Sequence, residues 1–213
     1  MKKLLIIILL TLVISCSTNN PNEIIIHGST DQVGNAFLTI IDPTDSKKDT
    51  ANIQNGSFTF SQKITEEELY KLNFNNGSSY NLLISPGEKI NVNITNNSID
   101  ITGSEGSIKL QELHSSFLQL KNFQDSITKE MQLVKINEPE KYNSMIESYR
   151  NDFFIELNLH KNIIKNFIDD NINSKVCLLA LFQQYGPKSY ILNIDEDLDY
   201  FEKVLQSLKT NFP

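Results

Sequence analysis

Thr50-Ala51-Asn52-Ile53-Gln54-Asn55-Gly56-Ser57-Phe58-Thr59-Phe60-Ser61 decides how the first half of this 213-residue chain folds. Phe58 and Phe60 alternate with Ser57, Thr59 and Ser61, the period of a strand with one buried face. Asn55-Gly56 stands between two such segments, and both central positions of a tight hairpin turn need a positive φ that Asn and Gly tolerate best. The spacing predicts a hairpin with residues 50–54 and 57–61 as its arms. Upstream, Ile24 and Ile26 open a strand and residues 36–41 form another. Downstream, residues 69–74 return through Asn75-Asn76-Gly77 to residues 80–84. Ser85-Pro86-Gly87-Glu88 has the proline and glycine of a type II turn and predicts a further hairpin into residues 90–94, where Ile90, Val92 and Ile94 alternate with Asn91, Asn93 and Thr95. Together these segments predict an antiparallel β-sandwich over residues 23–103. Thr65-Glu66-Glu67-Glu68 matches a capping box and predicts one helical turn with solvated acids.

After Gly103 the period changes. Leu110, Leu113, Phe117, Leu120, Ile127, Met131 and Val134 follow three- and four-residue steps, with Gln124 in the one missing position, which predicts a long helix with a narrow apolar seam. Ser104 is placed to cap it. Asn137-Glu138-Pro139 ends it and starts a second helix bearing Tyr142, Ile146, Tyr149, Phe153, Leu157, Ile164 and Phe167, antiparallel to the first. A third helix is expected over about 174–185, stopped by Gly186-Pro187, and a fourth from about Asp195 carrying Leu198, Phe201, Val204, Leu205 and Leu208. The fold class is α+β: a β-sandwich, then an all-helical segment of about four helices over 104–213, with a close and partly packed join at Gly103-Ser104.

The chain is acidic, with a formal charge of −7. No basic stripe is present, so nucleic acid is excluded as a partner, and a polybasic membrane face is excluded equally. Catalytic constellations are absent. His27, beside a glycine expected to end its strand, His114 and His160 lack the short spacings of a metal site, and His160 falls near the apolar side of its helix, where a hydrogen-bonded packing role is expected. Gly103-Ser104-Glu105-Gly106 is not a nucleophile elbow, and no glycine fingerprint for phosphate is present. The acids of 66–68, 169–170 and 195–197 read as surface charge, and the last group lacks the turn glycine of a calcium loop. No catalytic residue, metal or cofactor is expected. With no tryptophan and few aromatics, glycan or peptide binding by the sandwich is a weaker reading. Cys177 stands in an apolar helical run and reads as a structural thiol.

The amino terminus supplies an address. Lys2 and Lys3, an apolar run over 4–10, and Val13-Ile14-Ser15-Cys16 form a lipoprotein leader: residues 1–15 are expected to be cleaved and Cys16 lipidated, leaving 16–22 as a tether. The run is too short to span about 30 Å of hydrocarbon. Loss of Lys2 and Lys3 moves the formal charge from −7 to −9, and the acyl chains on Cys16 become the membrane attachment.

The order of motifs resembles a known module. Ile24-x-Ile26-x-Gly28, residues 49–60, Leu83-Ile84-Ser85-Pro86-Gly87-Glu88 and Ile101-Thr102-Gly103-Ser104 are similar to the amino-terminal β-domain, of unassigned function, on Bacteroidetes-type lipoproteins related to the TlpA and ResA thiol-disulfide oxidoreductases. Phe167-Ile168-Asp169-Asp170-Asn171-x-Asn173-Ser174, Ala180-Leu181 and Leu208-x-x-x-Phe212-Pro213 resemble that family's helical spacer. The resemblance implies a thioredoxin-like domain with a Cys-x-x-Cys pair after the spacer. No such pair stands in this chain, so none of the family's redox residues carries over. The expectation is a non-catalytic envelope lipoprotein that acts as an interaction or positioning module, with a protein partner or a second copy as its contact. The alternative is the leading part of a longer oxidoreductase. Ser17-Thr18-Asn19-Asn20 lacks the acidic cluster of surface-export signals, which favours the outer membrane facing the periplasm. Asp49-Thr50-Ala51 and Asp125-Ser126-Ile127 resemble the short O-glycosylation signal of exported proteins in such bacteria, making Thr50 and Ser126 candidate acceptors.

Overall fold

The computed structural model describes residues 20–41, 47–95 and 98–212. The leader and Cys16 lie outside the described residues.

Eight strands form two four-stranded sheets. They are β1 (Glu23–Thr30), β2 (Asn35–Ile40), β3 (Lys48–Asn52), β4 (Ser57–Lys63), β5 (Glu68–Phe74), β6 (Ser79–Ile84), β7 (Lys89–Thr95) and β8 (Ser98–Thr102). One sheet has the order β4-β1-β7-β8 and the other β3-β2-β5-β6. All pairs are antiparallel except β1 with β7, which run parallel. The inward rows Ile24/Ile26, Phe58/Phe60, Leu72/Phe74, Leu82/Ile84 and Ile90/Val92/Ile94 fill one core between the sheets. Gly28 stands opposite Phe58, and a Cβ there would lie 1.9 Å from the ring, so the bare backbone is what lets the ring lie flat. β1 runs on through Gly28 to Thr30 rather than ending at that glycine.

Of the three turns predicted as hairpins, the one through Asn75-Asn76-Gly77 joins the paired strands β5 and β6, while the other two form locally yet each joins different sheets. Asn55 and Gly56 have φ of 51° and 74°, and Gln54 and Ser57 exchange backbone hydrogen bonds. Beyond that single bridge the arms diverge, β3 pairing with β2 and β4 with β1. Ser85-Pro86-Gly87-Glu88 likewise turns with Gly87 at φ 80° and carries the chain from β6 to β7 in the opposite sheet. Alternation is identical in a hairpin and in a corner; stacking two sheets buries every inward row, and that selects the corner. Thr65 and Glu66 form a bend instead of a helical turn. The neighbouring acids are engaged: Tyr70 donates to Glu68 at 2.7 Å, Ser85 donates to Glu67, and Lys175 donates to the Glu67 carbonyl.

Four helices follow: α1 (Glu105–Asn137), α2 (Pro139–Asp170), α3 (Val176–Leu181) and α4 (Leu198–Asn211). The third is shorter than its sequence predicts. Beyond Phe182 the chain turns extended, and β9 (Gln184–Gly186) pairs with β10 (Ser189–Tyr190) across Pro187-Lys188, Lys188 having φ 60°. This return places Ile191 and Leu192 in the helical core, 4% and 1% exposed, a burial that a continuing helix would forfeit. That core also holds Leu110, Leu113, Leu120, Ile164, Ile168 and Val204, and it borrows Leu69 and Leu83 from the outer face of β5 and β6. Cys177 is fully buried there, its thiol pushed up to about 11 by burial, as expected of a structural cysteine. No helix among the described residues is long and apolar enough to cross a membrane.

Candidate functional site

The site is built where the helices meet the open side of the sandwich. β6 and β8 are the edge strands on that side, and an edge presents unpaired backbone groups. The first turns of α1 satisfy them. Ser104 caps the helix by accepting from the Ser107 amide, and its hydroxyl donates to the Leu83 carbonyl at 2.9 Å. The Ser107 hydroxyl also donates to that carbonyl at 2.9 Å and accepts from the Leu83 amide at 3.2 Å. Gln111 Oε1 accepts from the Ile101 amide on β8 at 2.7 Å. Three side chains of one helix thus cap one edge from each sheet. The cap predicted at Ser104 is present and does more than start a helix.

Just past this seal lies a groove of about 320 Å³. Its floor is apolar, from Ile99, Ile101, Leu110 and Phe117; Lys71, Asn81, Gln111 and Gln183 contribute polar groups. His114 stands against it, its ring 6.0 Å from that of Tyr80 in an edge arrangement. Burial alone lowers the His114 pKa, so the imidazole is neutral at pH 7, and no carboxylate among the described residues raises it. Burial and the Asp31 charge raise the Tyr80 phenol. The groove therefore combines an apolar bed, a neutral imidazole and one ammonium, Lys71. That is the chemistry of a binding surface for a small amphipathic group or an apolar side chain. A nucleophile activated by a base would need an oriented base, and His114 has no hydrogen-bond partner among the described residues to orient it.

His160, the second helical histidine, is 3% exposed, bonds Gln183 Oε1 through Nε2 at 2.7 Å and packs on Phe117. Burial lowers its pKa, and this is the packing role its position predicts. His27 is exposed beside Thr59. The three histidines are not brought together, and no group of three His, Cys, Asp or Glu able to hold a metal occurs among the described residues. Thr50 is exposed on β3, an edge strand, and Ser126 is exposed on α1, its hydroxyl turned to the Phe123 carbonyl at 2.8 Å. The two are therefore separate surface positions.

One functional-looking cluster escapes the sequence reading. Asp197, expected on the surface, is 1% exposed at the start of α4. It pairs with Lys161 and Lys165 at 2.8 Å each and accepts from the Asn193 amide at 2.9 Å. Burial pushes this carboxyl up, but the bonds from Lys161, Lys165 and Asn193 outweigh it and hold the pKa below the ordinary carboxylate value. The cluster clamps α4 to α2. Its only sequence signal is the i, i+4 pair Lys161/Lys165 flanking the buried row of His160 and Ile164.

Residues 24–110 match a family model described as a domain of unknown function, DUF4369. No curated protein and no solved structure matches the chain. The matched stretch runs past the last strand of the sandwich to Leu110, so it takes in Ser104 and Ser107. The stretch it covers is the sandwich together with Ser104 and Ser107 of the seal and part of the groove floor, and it stops one residue short of Gln111.

Proposed function

We propose that this chain is a non-catalytic cell-envelope lipoprotein, an interaction or positioning module tethered through acyl chains on Cys16 and placed at the outer membrane facing the periplasm. The observation that carries this reading is the seal between Ser104, Ser107, Gln111 and the edges of β6 and β8, reinforced by Lys175 on the Glu67 carbonyl. It joins sandwich and helices through side-chain hydrogen bonds to the strand edges, as a spacer requires, and it borders a groove that receives groups from both. The bound group is then a protein partner or a second copy of the chain, and the carbohydrate on Thr50 or Ser126, where attached, decorates surfaces away from the groove. Growth of cells with an alkynyl fatty acid tests the anchor: label on the native chain and none on Cys16→Ala is expected. Turnover of a disulfide substrate by the purified chain would contradict the non-catalytic reading.

The second reading is the leading part of a longer TlpA- or ResA-like thiol-disulfide oxidoreductase. It rests on the resemblance of the motifs in residues 24–28, 49–60, 83–88 and 101–104; the family match over residues 24–110 describes only a domain of unknown function. Sequencing the genomic DNA past the codon for Pro213 decides between them, an in-frame Cys-x-x-Cys segment favouring the second.

A further inference from the structure

α1 and α2 leave the body as a hairpin, and from Lys121 to Leu159 not one residue is buried. The 17 residues from Lys121 to Asn137 extend about 25 Å at 1.5 Å per residue. The apolar seam nevertheless continues along them without a break in spacing, through Ile127, Met131, Val134, Tyr142, Ile146 and Tyr149, each only half-buried. Two helices alone cannot cover such a seam, and a groove of about 260 Å³ opens along it, lined by Gln124, Ile127, Met131, Ile146, Tyr149 and Phe153. Where the hairpin meets the body, a third layer covers the seam: Tyr185 of β9 packs on Phe153 with ring centroids 5.7 Å apart. Farther out that layer is absent among the described residues.

We propose that the missing layer is the same hairpin of a second copy, the two packing face to face about a two-fold axis into a four-helix bundle. Charge supports a copy of the chain as occupant. Residues 121–156 hold five basic and seven acidic side chains against −7 for the whole chain, and Glu138–Lys141 and Glu147–Arg150 pair within the hairpin. Two such faces meet with little repulsion. Area supports it as well: a face about 25 Å long and about 20 Å wide on each copy reaches the roughly 1,000 Å² total that a specific interface needs. Gln124 supplies register. It is the one polar residue in the α1 seam; its Oε1 accepts from Lys121 at 2.8 Å while its amide nitrogen has no partner among the described residues. Near a two-fold axis that amide donates to the other copy's Gln124, the role polar seam residues play in fixing alignment.

This inference deepens the interaction reading but does not need the lipid: a chain that fails fatty-acid labelling can still pair, and a labelled one can fail to. Analytical ultracentrifugation of the full chain in mild detergent is expected to give twice the chain mass. Thr128, exposed on the rim of the groove, and Asn122, exposed on the far side of α1, make the matched pair of variants. Thr128→Arg is expected to give the single-chain mass with an unchanged far-UV spectrum, and Asn122→Arg to remain double. Should Thr128→Arg lose helicity, Thr128→Cys in intact cells treated with a bismaleimide decides: a covalent dimer is expected there and none with Asn122→Cys. A single-chain mass for the native protein, or pairing indifferent to both positions, overturns the proposal.

Discussion

The sandwich and the outer part of the α1–α2 hairpin carry apolar rows of similar density, but only the sandwich encloses them. Between the sheets, Ile24, Ile26, Leu72, Leu82, Ile84, Ile90 and Ile94 are all at 0% exposure, whereas Leu133 and Ile136 near the hairpin tip stand 59% and 76% exposed. A sheet closes its core by meeting another sheet and then sealing the edges. A helix pair has one shared seam and leaves its flanks to whatever packs next. In this chain stability is therefore concentrated between the sheets and at the base of the hairpin, and the outer arms are the part left free for contact.

The sharpest way to break that contrast is to cut a hole in each region. Leu72→Ala is expected to lower unfolding stability by about 3–4 kcal/mol, while Val134→Ala in the unpaired chain lowers it by less than about 1 kcal/mol because its site is half wet there. Urea denaturation of the two variants checks this, and comparable losses would erase the distinction. Next in size is the clamp between α2 and α4. Asp197→Asn leaves Lys161 and Lys165 facing a neutral group, and since both lysines keep some solvent the expected loss is about 2–3 kcal/mol, below that of a fully buried pair. The same denaturation series reads it. Ser107→Ala removes the partner of the Leu83 amide while Ser104 still serves the carbonyl, so about 1–2 kcal/mol is expected. Faster amide exchange at Leu83 would show that the seal, and not general packing, has opened.

The smallest effect is in pH. Burial lowers the pKa of both His114 and His160 in the folded chain. The unfolded chain then binds more protons below its ordinary histidine pKa of about 6.5, so stability is full above that value and declines as pH falls. Asp197, depressed in the folded state, adds a further loss in the same direction below about pH 4. Thermal melts across this range are expected to show two steps downward with acid, and replacing both histidines by glutamine should flatten the first.

Much of the architecture is legible in the residues because local rules suffice for it. Asn55-Gly56 and Pro86-Gly87 make the turns their chemistry demands, the switch from period two to steps of three and four falls at Gly103, and Ser104 caps α1. What is not legible is partner choice. Neither turn reveals that its arms belong to different sheets, and the run of about 174–185 looks helical throughout, although Tyr185, Ile191 and Leu192 need the β9–β10 return. The groove is equally hidden, because Lys71, His114 and Gln183 lie on three elements far apart in the chain.

By itself the sequence determined that a strand region precedes a helical one, where most of the sandwich strands and the two long helices lie, and which side of each is apolar, because φ preferences and side-chain periods act over a few residues. The tertiary structure alone decided which strands pair beyond the β5–β6 hairpin, that Asp197 is buried between two lysines, and that α1 closes one edge of each sheet. Those outcomes depend on enclosing surface and satisfying backbone groups across the whole fold, and no short stretch of chain contains that information.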